Sequence, residues 1–138
     1  MSDRRTLEQR RAERALQRIE QRTHLPPKHK EAYVSYAKAL PAEILMNGLG
    51  QAMAMLLAAA RGKADDPHRL LHDDMQAWLC GNEALPALPY EGDLVPALMA
   101  HGQEAYLLAQ GEAVAYCGWL KRFAVAYLEN PDASGGEE

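Results

Sequence analysis

The sequence has no long hydrophobic run and only two cysteines among its 138 residues. No apolar stretch approaches the roughly 20 residues that a membrane-spanning helix needs, so we expect no membrane partner. The charged start, Met-Ser-Asp-Arg-Arg, lacks the apolar segment of a signal peptide. Two cysteines in a chain of this size do not make a disulfide framework. We therefore expect Cys80 and Cys117 to be reduced, packed thiols and the protein to be cytoplasmic.

The sequence also lacks the usual patterns of a catalytic site. No serine, cysteine or threonine lies in a known nucleophile motif. His68 and His72 are four residues apart on one predicted helical face. The acids Asp73 and Asp74 follow them, and we attribute these two acids to a helix start. A zinc site needs at least a third ligand, and no second cluster accompanies the two histidines. We therefore expect that the protein binds no metal and no cofactor and is not an enzyme. The minor alternative is a metal-dependent hydrolase that uses His68 and His72.

Charge is distributed unevenly along the chain. The net charge is −4, but residues 1–30 carry nine cations and four acids, whereas residues 31–138 carry six cations and fifteen acids. A basic N-terminal arm on an acidic body suggests either an anionic partner for one face or head-to-tail contact between copies.

Helical periodicity without any convincing strand pattern predicts an all-α fold, a single bundle of about six helices over residues 1–130. Prolines and glycines separate the predicted helices, with Pro41 placed in the first turn of the third helix and Asp66 as the N-cap of the fourth. The approximate predicted helices are 3–22, 28–40, 41–61, 68–79, 93–101 and 103–128. The glycine-rich and acidic residues 131–138 are predicted to be a disordered tail.

Two glycines, Gly48 and Gly50, fall inside the predicted third helix. Each costs about 1 kcal/mol relative to alanine in a helix interior. No strand precedes them, so they form neither a phosphate loop nor a dinucleotide fingerprint. We expect them to permit the close approach of a neighbouring helix.

The first predicted helix carries five arginines on one side, next to its apolar face. At 100° per residue they share a stripe about 80° wide. One interpretation is a solvated face paired with Glu8, Glu13 and Glu20; the other is a stripe that follows nucleic-acid phosphates, to which guanidinium groups are well suited. The stripe consists of Arg4, Arg11, Arg14, Arg18 and Arg22.

The last predicted helix, 103–128, is apolar around most of its circumference, which is typical of a helix that others pack against. Two adjacent cations, Lys121 and Arg122, lie within it and need either a partner or a route to solvent, because isolated buried charge is costly. We expect the structural core to include Leu49, Trp78, Tyr116, Trp119, Leu120 and Phe123.

Several short blocks, taken together and in this order, resemble one protein family over residues 5–128: the small subunit of the type III-B (Cmr) CRISPR effector complex. The most specific pair is Asn47-Gly48-Leu49 with the block 119–124. The blocks are Tyr36, Lys38, Leu40-Pro41, Ile44, Asn47-Gly48-Leu49, Gln51, Trp78-Leu79, Tyr106, Glu112-Ala113 and Trp119-Leu120-Lys121-Arg122-Phe123-Ala124.

The resemblance implies a non-catalytic helical bundle whose copies stack head to tail beside the backbone subunit that holds the guide RNA. The stack lines the groove in which target RNA pairs with guide RNA, so the expected partners are other effector subunits, the guide–target RNA duplex and further copies of the chain. Contacts to the RNA backbone position a strand without reading its sequence. The expected RNA-binding residues are Arg4, Arg11, Arg14, Arg18, Arg22, Lys38, Lys121 and Arg122.

A different class of function also fits the basic first helix: a stand-alone helical regulator or adaptor that binds DNA or a protein partner. A helix-turn-helix reader would need a recognition helix after the turn at Pro26-Pro27. The segment 28–40 instead presents Tyr33, Val34 and Tyr36 and few side chains that read bases.

Overall fold

Six helices form one bundle in the computed structural model, which describes residues 5–81 and 88–129. No strand occurs in these two ranges. The predicted all-α class is confirmed, as is the long C-terminal helix. The helices are α1 Leu7–Arg22, α2 Pro27–Asn47, α3 Leu49–Ala60, α4 Pro67–Leu79, α5 Leu94–Ala100 and α6 Gln103–Leu128. The predicted tail, residues 131–138, lies outside the described residues.

Helix α6 is the axis of the bundle, and α1, α2 and α4 pack against it. Alanines at three positions on its buried side allow neighbouring helices to approach, and Tyr116 and Leu120 fill the space between them. Helix α3 packs against α2, α4 and the short α5. No helix in the described parts of the chain is both long and apolar enough to cross a membrane.

Helix α1 begins later than the sequence predicts because a capping box fixes its start. The Thr6 hydroxyl accepts a hydrogen bond from the Gln9 backbone N–H (3.0 Å), and the Gln9 side chain accepts one from the Thr6 N–H (2.8 Å). Each half of the box satisfies a backbone donor that the helix itself leaves unpaired. The helix therefore starts at Leu7 instead of residue 3.

The predicted boundary at Pro41 is wrong: α2 continues through Pro41 to Asn47. A proline inside a helix costs about 3 kcal/mol. Leu40 and Ile44 flank it and are fully buried, and burying each contributes about 1.5–3 kcal/mol. Continuing the apolar face of α2 thus outweighs the lost hydrogen bond. The break comes at Gly48, whose φ of 87° is accessible to glycine at little cost.

The junction between α2 and α3 rests on α6. The Leu49 N–H donates to the Gln110 side chain (2.9 Å), and the Gly50 N–H donates to the Tyr106 hydroxyl (2.8 Å). A Cβ on Gly50 would lie 3.2 Å from that hydroxyl oxygen. The neighbouring helix therefore approaches these glycines with its side chains and not with its backbone, as had been expected, and α6 side chains satisfy the first N–H groups of α3.

Both cysteines are free thiols, Cys117 buried and Cys80 half-buried. Burial raises the pKa of the Cys117 thiol to about 12 and that of Cys80 to about 11. Reactive cysteines have lowered pKa values, so these two thiols are structural.

We expect the Gly48→Ala variant to lose about 1–3 kcal/mol in the free energy of unfolding, because an L side chain is strained at this φ and ψ. Gly111 on α6 provides the control, since it is helical and exposed with nothing within 4 Å of a Cβ. Gly111→Ala should instead stabilise the protein by up to about 1 kcal/mol. Urea denaturation followed by circular dichroism measures both values, and equal effects would contradict the assigned break at Gly48.

Candidate nucleic-acid interface

Helix α1 is joined to α4 and α6 by arginines that point into the bundle. Arg11, Arg18 and Arg22 reach two carboxylates, Asp74 on α4 and Glu112 on α6. Asp74 is 0% exposed and Glu112 is 3% exposed. A buried carboxylate is tolerated only when it is paired and hydrogen-bonded, so these contacts are structural requirements.

Asp74 accepts hydrogen bonds from three side chains. Its Oδ1 accepts from Arg18 Nε (2.7 Å) and from Arg22 Nη2, while its Oδ2 accepts from Arg22 Nε (3.0 Å) and the Tyr33 hydroxyl. Burial alone would lower the pKa of Arg22, but the hydrogen bonds and charge of Asp74 outweigh it and raise that pKa. Burial, reinforced by Asp74, raises the pKa of Tyr33 well above its ordinary value.

Glu112 joins three helices through one carboxylate. Arg11 of α1 donates to both oxygens, from Nε (2.7 Å) and Nη2 (2.8 Å), and Trp78 Nε1 of α4 donates at 2.8 Å. Such a two-point pairing fixes direction as well as distance. Arg11 also donates to Glu8 (2.7 Å). The hydrogen bond to Glu112 is the main reason that the pKa of Arg11 is raised.

Arg11, Arg18 and Arg22 of the stripe therefore have partners inside the bundle. The sequence places Arg11, Arg18 and Arg22 correctly on one side of α1. Arg11 pairs with Glu8 of the same helix as expected, whereas Arg18 and Arg22 pair with Asp74 of α4. Their main partners, Asp74 and Glu112, were missed as functional positions. Asp74 shares a helical face with Leu71, Met75 and Trp78, and an acid on such an apolar face is the signal for a buried ion pair.

The remaining predicted RNA-binding cations lie nearer the surface. Arg122 is exposed, with Nη1 3.3 Å from the Gly118 carbonyl oxygen, and Lys121 is half-buried. Lys38 is exposed and pairs with Glu129 at 3.3 Å. Arg14 is half-buried on α1. Arg4 lies outside the described residues.

The predicted core residues differ in how deeply they are buried. Leu49, Trp78, Tyr116 and Leu120 are buried, and Trp78 stacks on Tyr116 with ring centroids 5.0 Å apart. Trp119 and Phe123 are only partly buried against that core. Their rings are 5.4 Å apart, and Trp119 Nε1 donates to Glu8 of α1 (3.0 Å).

The two histidines weighed as metal ligands have separate surroundings. His68 Nδ1 lies 2.8 Å from Asp66, and its ring stacks on Tyr36 at 3.8 Å. His72 is buried, with Nδ1 2.9 Å from Asp73. Across residues 5–81 and 88–129, no group of three or more His, Cys, Asp or Glu side chains is arranged to hold a metal ion.

Several large apolar side chains are exposed near the α2–α3 junction. We call Leu45, Met46, Met99 and Leu107 the junction patch; their exposed fractions are 69%, 81%, 69% and 57%. Leu45 and Met46 precede Gly48, the Met99 methyl group lies 3.5 Å from a Cβ position on Gly50, and Leu107 follows Tyr106. Exposed apolar side chains gathered around one junction are typical of a surface that binds another protein.

We expect Asp74→Asn to reduce the free energy of unfolding by about 3–5 kcal/mol, because it leaves Arg18 and Arg22 without their buried counter-charge. Asp73→Asn is the matched control: Asp73 is 34% exposed and pairs with Arg69 near the surface, where an ion pair contributes about 0–1 kcal/mol. Urea denaturation of the two variants checks the difference. A loss from Asp74→Asn no larger than that from Asp73→Asn would show that the buried pairs do not hold α1.

The chain matches a protein-family model and is similar to a solved structure. Residues 7–127 match a family model described as CRISPR-associated protein (Cas_Cmr5). The fold is similar to the crystal structure of a CRISPR-associated Cmr5 family protein from Thermus thermophilus, with a TM-score of 0.70 and 28% sequence identity. The alignment covers 91% of this chain and 100% of that chain.

Proposed function

Because the chain belongs to the Cmr5 family of CRISPR-associated proteins, the small subunit of the type III-B effector complex, we propose that its copies stack head to tail beside the guide-holding backbone subunit. In this position the stack lines the groove where target RNA pairs with guide RNA. The role is non-catalytic, in a cytoplasmic complex. The family match over residues 7–127 is the observation that carries the proposal, and it favours an effector subunit over a stand-alone regulator.

The junction patch supports contact with another protein. Met46 is 81% exposed at the end of α2, and Met99 and Leu107 are exposed on segments that meet the same junction. Burying such side chains stabilises an interface by about 1.5–3 kcal/mol each when burial is complete. A contact between this patch and a different surface of the next copy is heterologous, and repeated heterologous contacts make a filament.

The ion pairs change which cations are available to RNA. Withdrawing Arg11 from Glu112, or both Arg18 and Arg22 from Asp74, would leave a buried charge uncompensated, at a cost of about 3–5 kcal/mol. The free energy gained from a surface contact to phosphate is smaller than that cost. Of the originally predicted residues, we propose that Lys38, Lys121, Arg122 and Arg14 contact the RNA backbone, while the three paired arginines hold the bundle together.

Each contact is weak alone, and repetition along the stack makes the binding strong. Linked sites can raise overall affinity by factors of about 10²–10⁴ without any new contact. The isolated chain should therefore bind RNA feebly, and the salt dependence should steepen when the complex assembles.

We expect Met46→Glu to reduce incorporation of the chain into the reconstituted effector complex by at least about tenfold, because a carboxylate would be desolvated in an apolar contact. Ser35→Glu is the control, since it adds the same charge at an exposed position on the same helix. Incorporation is measured by co-purification with a tagged backbone subunit and guide RNA. Normal incorporation of Met46→Glu would contradict the proposed use of the junction patch.

We expect Lys121→Glu combined with Arg122→Glu to leave the isolated fold largely intact and to weaken target-RNA binding by the assembled complex. Each lost phosphate contact should make the slope of log K against log salt shallower by about 0.7 for a single-stranded target. Arg61→Glu with Lys63→Glu, two exposed cations between α3 and α4, controls for net charge. An unchanged slope, or unfolding of the isolated Lys121/Arg122 variant, would show that this pair is not an RNA contact.

A further inference from the structure

The central helix α6 has one face that no other helix covers in the described part of the chain. Successive residues of an α-helix are about 100° apart, and six side chains along α6 fall within about 60° of one direction. Each of the six residues is exposed or half-buried, so this face is available to another molecule. We call it the open face, and it consists of Glu104, Leu107, Leu108, Gly111, Ala115 and Arg122.

The open face has an acid near one end and a base near the other. Glu104 lies in the first turn of α6. Arg122 lies about five helical turns further on, so the two side chains leave the helix in the same direction about 27 Å apart. Arg122 Nη1 is 3.3 Å from the Gly118 carbonyl oxygen, and neither charged group forms an ion pair within residues 5–81 and 88–129. Both charges can therefore pair with a group on another molecule.

A second copy of the open face, laid antiparallel on the first, matches both charges at once. Ala113 lies midway between Glu104 and Arg122 along α6. When two copies of α6 cross at the level of Ala113, Glu104 of each copy faces Arg122 of the other, because both residues are equally far from the crossing point. A parallel arrangement would instead place like charges together. The order of charges along the open face is therefore complementary to its own reverse.

Small residues occupy the place where the two helices would cross. Gly111 and Ala115 lie on either side of Ala113, and a Cβ added to Gly111 would have nothing within 4 Å. Helix axes approach to about 8 Å only where the side chains between them are small. The centre of the open face therefore permits close packing, which brings the charged ends of the two copies within reach of each other.

Two exposed leucines supply the apolar part of this contact. At the same crossing point, the helical period places Leu107 of one copy beside Gly118 of the other, and Leu108 beside Trp119. Gly118 has no side chain to obstruct a leucine, and Trp119 is only partly buried in its own bundle. Burial of the leucines favours association, whereas the two ion pairs select the antiparallel orientation.

We propose that two copies of the isolated chain pair antiparallel through their open faces. A contact between identical surfaces is isologous, so it closes with two copies and does not extend into a filament. One helix face from each copy gives an interface at the lower end of specific contacts, below about 1,200 Å², so the dissociation constant should be roughly tens of micromolar.

This pairing goes beyond the proposed function and does not rest on it. Leu107 belongs both to the open face and to the junction patch, so one copy cannot use it for pairing and for stacking at once. The pair is therefore a state of the free chain, in which exposed apolar side chains are covered until the two copies separate for assembly.

Sedimentation velocity of the isolated full chain tests the pairing. In about 50 mM NaCl, where charges are weakly screened, the wild type should shift from monomer to dimer between about 1 and 200 μM, without larger species. Glu104→Arg and Arg122→Glu each set like charges against each other at both ends, and each should raise the dissociation constant at least about tenfold. Glu31→Arg and Lys63→Glu make the same charge changes at exposed positions elsewhere and should pair as the wild type does.

A charge swap separates this contact from a general loss of association. Chains with Glu104→Arg and chains with Arg122→Glu present opposite charges to each other at both ends, so their equimolar mixture should form the dimer that neither forms alone. A chain carrying both substitutions should also pair nearly as well as the wild type, because exchanging the two charges preserves their attraction in the antiparallel pair. Circular dichroism of each variant checks that it is folded.

A wild-type chain that stays monomeric up to about 200 μM would overturn the pairing. A dimer that Glu104→Arg leaves unchanged, or a mixture that fails to restore the dimer, would overturn it as well. Assemblies that keep growing with concentration would show a head-to-tail contact in its place. If the wild type is monomeric and Glu104→Arg cannot enter the reconstituted effector complex, the open face binds another effector subunit instead. Failure of the wild-type chain to enter that complex would overturn the proposed function and not the pairing.

Discussion

The fold depends on two buried carboxylates that hold the first helix to the rest of the bundle. Asp74 and Glu112 lose their hydration in the folded state, and only a complete set of donors compensates them. Arg18, Arg22 and Tyr33 donate to Asp74, and Arg11 and Trp78 donate to Glu112. Hydrogen bonds are directional whereas apolar contact is not, so these two sites fix one position of α1 along α4 and α6.

This constraint also determines what α1 can offer to other molecules. An arginine that neutralises a buried carboxylate cannot also neutralise a phosphate, so the basic charge counted from the sequence overstates the charge available at the surface. What remains at the surface includes the exposed cation Arg122. Protein contact is then supported by the apolar junction patch more than by opposite charges on the two halves of the chain.

Local patterns predicted the helices well wherever the controlling residues were neighbours in sequence. Asp66 caps α4 as expected, accepting a hydrogen bond from the His68 N–H, and α6 has its predicted limits. The start of α1 and the boundary at Pro41 were wrong for different reasons. A capping box sets the start of α1. At Pro41, burial of Leu40 and Ile44 against other helices overrides the tendency of proline to end a helix. Helix propensity predicts the end of a helix poorly when a continuous apolar face is buried.

The sequence by itself determined the all-α class, the long central helix, the family and the side of α1 on which the arginines lie, because each follows from residue order and helical period. Only the tertiary structure decided which of those arginines face inward. Asp74 is 56 and 52 residues from Arg18 and Arg22, and Glu112 is 101 residues from Arg11. No periodicity links positions so far apart, and only the packing of α1 against α4 and α6 brings their charges together.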